Sequence, residues 1–429
     1  MTLRVKARFG GPFLSVLALA AVFSAAAAPV SAAVQAKKEA PVKGSANGQA
    51  SAEALDRMSA FFKERAAAHG IVGASLRVVG DKGVLRQATF GLRDRATGTP
   101  VDEATIFHWA SITKTLTGIA ILQLRDRGRL TLDDPILKYV PELSAVRNAF
   151  GPMSAITIRQ LLSHTAGFRA GTWPFGGDKP WHPFEPTEWS QLVAMMPYTE
   201  VELPPGTKYS YSNPGLVYLG RVVESLAGES WEQYVTKNIL MPLGMTRTFF
   251  DHAPYHLVKD RSHSYIATKG RVDEAPFDFD SGITVSNGGL NAPLGDMEKY
   301  LRFLMGHAET DAGAAVLSRK SLDEMWTPVA LVEAPGSDRV DMGLCFFIEQ
   351  RAGRKLIGHS GSQNGFISHL YIDPAADAAY VVSFNTEAAE EGDGPNTRGV
   401  DAALRTFFVT HVAPVLEAAK RAAPVARKD

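Results

Sequence analysis

Ser111 and Lys114 stand three positions apart in Ser111-Ile112-Thr113-Lys114, the only Ser-x-x-Lys in the sequence. Three positions along a helix is nearly one turn, so the two side chains share a face. The preceding Phe107-His108-Trp109-Ala110 reads as a strand or loop. A helix then opens at Ser111 and runs to about Arg127, where Gly128 stops it. A serine at a helix start has its own N–H free and a favourable dipole for a developing anion. A lysine stripped of water gives up its proton more readily and can then take one from the serine hydroxyl. The competing reading makes Ser111 a helix cap and Lys114 a solvated charge.

Two later stretches offer partners for such a nucleophile. Tyr211-Ser212-Asn213 follows a turn-rich segment and precedes Pro214. A phenol close to two cations can ionise below its usual pKa and act as general base. The amide of Asn213 can donate and accept, as holding a substrate amide requires. The bland alternative has Asn213 capping the helix and Tyr211 simply packing. His359-Ser360-Gly361 follows the apolar run Lys355 to Gly358. A glycine in a strand admits another backbone, so a substrate can lie along this strand. The N–H of Ser362 and that of Ser111 would then form an oxyanion hole, with His359 adding a charge or a hydrogen bond. The alternative is a strand entering a turn with a solvated histidine.

Ser-x-x-Lys, Tyr-x-Asn and His-Ser-Gly, in this order, resemble the serine β-lactamase and penicillin-binding-protein superfamily. Tyr-Ser-Asn is similar to the class C β-lactamase branch, with its DD-peptidases, D-aminopeptidases and β-lactamase-like esterases. The resemblance covers about residues 53–415 and takes in Leu161-Leu162-Ser163-His164-Thr165-Ala166-Gly167-Phe168. It implies an α/β (α+β) fold of β-lactamase/transpeptidase type, an antiparallel sheet flanked by helices with an inserted helical domain. It also implies Ser111 as nucleophile and acyl carrier, and Lys114 and Tyr211 sharing acid–base work. Asn213 would hold the substrate's acyl side chain, and His359, Ser360, Gly361 and Ser362 would line its path. His164 is read as structural. No cofactor and no metal are implied.

The elements that must position these residues are visible in outline. A helix near Ala52 to His69 places Leu55, Met58, Phe62 and Ala66 on one face. Ala74 to Val79 and Val84 to Phe90 read as paired strands around the turn Asp81-Lys82-Gly83. Helices at Thr157 to Ser163 and from Asn213 to Gly228 fill the middle. Strand signals return at Lys355 to Gly358, Ile367 to Ile372 and Ala379 to Phe384, before a last helix from Gly399 to Lys420. Both termini therefore build one sheet, about 53–107 and 340–420, around a helical lobe of about 108–300. The loop from Phe168 to Trp189 is rich in aromatics and reads either as a pocket wall or as a cover for the lobe.

Arg4, Lys6 and Arg8, an apolar run Phe13 to Phe23 and small residues up to Ala32 form the pattern of a secretory signal peptide. Residues 33–52 read as a flexible leader. An exported protein, periplasmic or extracellular and without a stable membrane anchor after cleavage, is expected. Cys345, the only cysteine, sits in an apolar run and reads as a buried thiol. The 45 Lys+Arg match 45 Asp+Glu, which gives no reason to expect nucleic acid as a partner. Gly358-His359-Ser360-Gly361-Ser362 nearly spells the serine elbow of α/β-hydrolases, but the fifth position is serine and no βαβ series precedes it.

The expected function is an exported serine hydrolase acting on an ester or peptide-like amide. A true β-lactamase or DD-peptidase is the first alternative. It is disfavoured because a histidine, unlike a permanent lysine cation, is only partly charged at neutral pH. The second alternative, of another class, is a non-catalytic peptidoglycan- or penicillin-binding module.

Overall fold

Alternating and continuous apolar runs from both ends of the chain assemble into one nine-stranded sheet. In the computed structural model, residues 46–171, 187–277, 280–336, 338–389 and 394–422 are described. Two units divide the chain, Met1–Lys43 and Gly44–Asp429. The first, with the expected signal peptide, lies outside the described residues, and everything below concerns the second. Across the sheet the order is Ala330–Glu333, Arg339–Met342, Phe347–Arg351, Arg354–Gln363, Phe366–Asp373, Ala378–Phe384, Gly73–Gly80, Gly83–Asp94 and Thr99–Pro100. Every pairing in it is antiparallel. The N-terminal strand meets the C-terminal one with Leu76 opposite Val382 and Val78 opposite Tyr380.

Gly73–Gly80 is buried along its whole length because both faces of the sheet are covered. On one face Met58 and Phe62 of the helix Ala46–Ala68 meet Leu76, Val78, Leu404 and Phe408. On the other, Val79, Val381 and Leu370 join the core of the helical lobe. That lobe is centred on Thr113–Asp126, whose first twelve residues are all buried, and on Asn213–Ala227. Among the described residues no helix is long and apolar enough to cross a membrane.

Three boundaries differ from the sequence reading. The first helix begins at Ala46, so the last residues of the expected leader are helical. The sheet begins at Ala330, ahead of the expected start near 340, because two four-residue strands at its edge, Ala330–Glu333 and the half-polar Arg339–Met342, are too short to stand out in the sequence. Ile106–Ala110 leaves the large sheet and pairs with Leu290–Pro293 in a separate three-stranded sheet. That strand is the one that delivers Ser111.

Candidate active site

Ser111 lies on a tight turn between the strand Ile106–Ala110 and the helix Thr113–Asp126. Ala110 adopts φ 47°, a left-handed conformation that a residue with a side chain holds only when its surroundings enforce it. The enforcement is local. Thr113 Oγ1 donates to the Ala110 carbonyl at 2.6 Å and accepts from Leu290 N–H at 3.0 Å. The helix is capped at Ile112 without a side-chain bond, so Ser111 is not its cap. The Ser111 N–H has no acceptor among the described residues and stays available to an incoming oxygen.

Lys114 is fully buried rather than solvated. Its Nζ lies 2.9 Å from Ser111 Oγ and 2.9 Å from the Asn287 carbonyl. Burial pulls its pKa down to about 7, with Cys345 acting weakly the other way. Cys345 is itself buried, and that burial pushes its thiol up to about 12.

Tyr211 is half-buried, with Lys114 Nζ 5.1 Å from its ring centre. His164 stacks on the ring at 4.5 Å and accepts the Ser212 N–H at 3.1 Å through Nδ1. The expectation of a phenol ionised by two cations fails. Burial raises the Tyr211 phenol above its ordinary value, against a smaller pull from the Ser111 hydroxyl. The second cation is missing, because His359 is 1% exposed and burial, helped by Lys114, lowers its pKa to about 3. His359 Nδ1–H donates to the Ser360 carbonyl at 2.6 Å, which leaves Nε2 as a lone pair with no partner among the described residues.

Asn213 is half-buried on the first turn of its helix, but Ser212 is the cap, accepting from Gly215 N–H at 3.1 Å. The Asn213 carbonyl accepts from Asn287 Nδ2 at 3.5 Å. Asn287 therefore joins the segments that carry Lys114 and Asn213.

The strand Arg354–Gln363 pairs with Phe347–Arg351 only as far as Gly358 opposite Phe347. From His359 to Gln363 it keeps one ladder, to Phe366–Leu370, and its other edge has no strand partner among the described residues. The room that Gly361 provides is used by the protein itself. A Cβ there would sit 2.1 Å from the Trp109 carbonyl, which also accepts from Ser368 Oγ at 3.0 Å. Gly361 thus lets the strand leading to Ser111 cross directly over the motif strand. Gln363 Oε1 meets His108 Nε2 at 3.2 Å, and His108 Nδ1 meets Asn291 Oδ1 at 3.2 Å, fastening the same crossing. Ser360 is half-buried, and Ser362 Oγ donates to Glu387 Oε1 at 3.3 Å.

The structure brings Ser111, Lys114 and Tyr211 together, with Asn213 joined through Asn287 and His359 facing Tyr211 at 6.5 Å. Sequence reasoning missed the Asn287 carbonyl, the His164 stack and the Trp109 crossing. The one sequence signal for the first is Gly288-Gly289, where the short helix Val285–Gly288 that carries Asn287 ends. Of the aromatic loop, Phe168 packs on Tyr218 and Trp189 lies under Arg221. Trp173, Phe175, Trp181 and Phe184 lie outside the described residues.

Residues 58–405 match the family model described as Beta-lactamase. An uncharacterized protein of Mycobacterium tuberculosis (strain CDC 1551 / Oshkosh) is 30% identical over 298 residues, covering 64% of this chain and 72% of that one. The octameric penicillin-binding protein homologue from Pyrococcus abyssi is similar with a TM-score of 0.69 and 28% identity, over 83% of this chain and 77% of its own. A D-stereospecific amidohydrolase from Streptomyces sp. is similar with a TM-score of 0.61 and 25% identity, over 83% and 97%.

Proposed function

Because the chain belongs to the beta-lactamase family, we propose that it is a serine hydrolase that forms an acyl-enzyme on Ser111 and acts on an ester or peptide-like amide. Family membership supports a hydrolase of this fold. The observation that carries the finer reading is the buried Lys114 amine 2.9 Å from Ser111 Oγ, with its pKa lowered to about 7.

A neutral amine turns its lone pair to the serine and keeps an N–H for the Asn287 carbonyl. Ser111 Oγ attacks the substrate carbonyl carbon as its proton passes to Lys114 Nζ. The carbonyl oxygen becomes an oxyanion beside the Ser111 N–H. As the intermediate collapses, the bond to the leaving group breaks and that group takes a proton from Lys114, with the protonated Tyr211 phenol as relay. Water then repeats the sequence on the acyl-enzyme and restores Ser111.

The neutral His359 favours this reading over an efficient β-lactamase, since it offers no cation to a β-lactam carboxylate at neutral pH. The amidohydrolase relative makes D-amino-acid derivatives a reasonable first substrate class. The test is a screen of p-nitrophenyl esters, D-amino-acid amides and nitrocefin with wild type and Ser111→Ala. Turnover of an ester or amide that vanishes in Ser111→Ala supports the reading, and turnover that survives in the variant contradicts it. Export is part of the same proposal, on the basic, apolar and small-residue N-terminus.

A further inference from the structure

The sheet face that carries the C-terminal helices holds a second polar constellation. Ser360 and His369 stand opposite each other in the ladder, so their side chains lie on one face as close neighbours. His369 Nδ1 is 3.2 Å from Asp401 Oδ2, on the helix Thr397–Phe407. One turn along that helix, Arg405 donates to Glu349 at 2.6 Å and to the Tyr371 hydroxyl at 2.7 Å. His369 is 5% exposed and Asp401 is 2% exposed. These groups border a cavity of about 280 Å³, whose apolar side is Val332, Val340 and Phe347.

Buried polar atoms in folded proteins are nearly always paired. Here His369 Nε2, Asp401 Oδ1 and Arg405 Nε have no partner among the described residues, and neither does His359 Nε2, from a residue that also borders the cavity. Groups of both signs surround the space, Arg351, Arg398 and Arg405 with Glu333, Glu349 and Asp401, and Glu349 already pairs with Arg351 and Arg405. Burial raises the Asp401 carboxyl to about 7, against the pull of Arg405, and burial holds His369 neutral. The lining therefore offers both donors and acceptors, and its central histidine and carboxyl can bind an uncharged group without either being fully ionised.

Its location links it to Ser111. His359 and Ser360 border the cavity, and they are the residues at which the ladder to Phe347–Arg351 stops. An extended chain added to a sheet edge turns alternate side chains to opposite faces. At this edge one face carries the Trp109–Ser111 crossing over Gly361, and the other carries the cavity.

We propose that this cavity is a specificity pocket for an uncharged hydrogen-bonding side chain, a carboxamide above all, on an extended peptide-like substrate whose reacting carbonyl lies at Ser111. The proposal rests on the serine hydrolase reading. Val332, Val340 and Phe347 take the methylenes, and the His369–Asp401 pair meets the amide, which both donates and accepts.

The test compares kcat/KM for N-acetyl-dipeptide methyl esters, in both enantiomeric series, carrying glutamine, methionine, glutamate or lysine at either position. p-Nitrophenyl acetate, too small to reach the cavity, is the reference. Glutamine is expected to exceed methionine, glutamate and lysine at least about tenfold at one position, the scale of one well-formed buried hydrogen bond. Val340→Phe, which fills the space, should erase that preference while leaving p-nitrophenyl acetate turnover within about twofold. If that variant does not fold, Val332→Trp on the half-exposed edge strand fills the same space. Acetate turnover without a glutamine preference, or a preference that survives in a folded filled variant, overturns the pocket and leaves the hydrolase reading standing. Absence of all turnover removes the hydrolase reading, and the pocket falls with it.

Discussion

Lowering the pH from 8 to 6 is expected to slow acylation of Ser111 about tenfold, through one residue. Lys114 is fully buried with a pKa of about 7, so roughly nine-tenths of it is neutral at pH 8 and one-tenth at pH 6. Single-turnover release of p-nitrophenol, followed by stopped flow, reads the acylation step directly. The rate should rise with a single inflection near pH 7. Tyr211→Phe should lower the plateau and leave the inflection in place, because the phenol is held protonated across this range. An inflection above pH 10, or a flat profile, would refute the assignment of Lys114 as base.

The same burial has a thermodynamic signature. In the unfolded chain Lys114 titrates near its ordinary value, so the folded state, with its lowered pKa, disfavours the proton. Holding the amine under water-free conditions costs about 5 kcal/mol below pH 7, by the conversion of roughly 1.4 kcal/mol per unit. The penalty is fully present below the folded value of about 7 and fades as pH rises toward 10.5. Lys114→Met removes it, at the expense of two hydrogen bonds. Its stability relative to wild type should therefore be greatest near pH 6 and decline steadily to pH 10. Urea denaturation of both proteins across that range measures the difference, and a difference independent of pH would contradict the buried-amine account.

Other consequences can be measured separately. Gly361→Ala places a methyl 2.1 Å from the Trp109 carbonyl, so it should destabilise by at least about 1–3 kcal/mol and displace Ser111. Unfolding and ester hydrolysis unchanged from wild type would refute that crossing. Nitrocefin kcat/KM at pH 7.5 should lie about tenfold to a hundredfold or more below that of a good ester, since the neutral His359 supplies no charge-assisted bond to the carboxylate. Parity between the two would refute the role given to His359.

Much of the fold was legible because local patterns report burial. The Leu55, Met58, Phe62 and Ala66 stripe belongs to one buried face, and Ala74 to Val79 reads apolar because both of its faces are covered. The spacing of Ser111 and Lys114 was legible for the same reason, since one helical turn is a local fact. What makes the pair reactive was not. Lys114 is dry because the short helix Val285–Gly288 closes over it, with the Asn287 carbonyl reaching it from 173 residues away, and Tyr211 is oriented by His164, 48 residues before the Ser212 amide it holds. Sequence spacing carries no information on such contacts. The ionisation of Tyr211 was misjudged in the same way, and the full neutrality of His359 was equally hidden. Their titration depends on burial, and a phenol or imidazole near other ionisable residues in sequence looks the same whether it is wet or dry.

The central claim is covalent chemistry at Ser111. Intact-mass measurement after brief incubation with a fluorophosphonate should show a single adduct, and peptide mapping should place it on Ser111. Lys114→Met should form it far more slowly, and Ser111→Ala not at all. A folded wild-type protein that stays unmodified, or an adduct that persists in Ser111→Ala, would contradict the account.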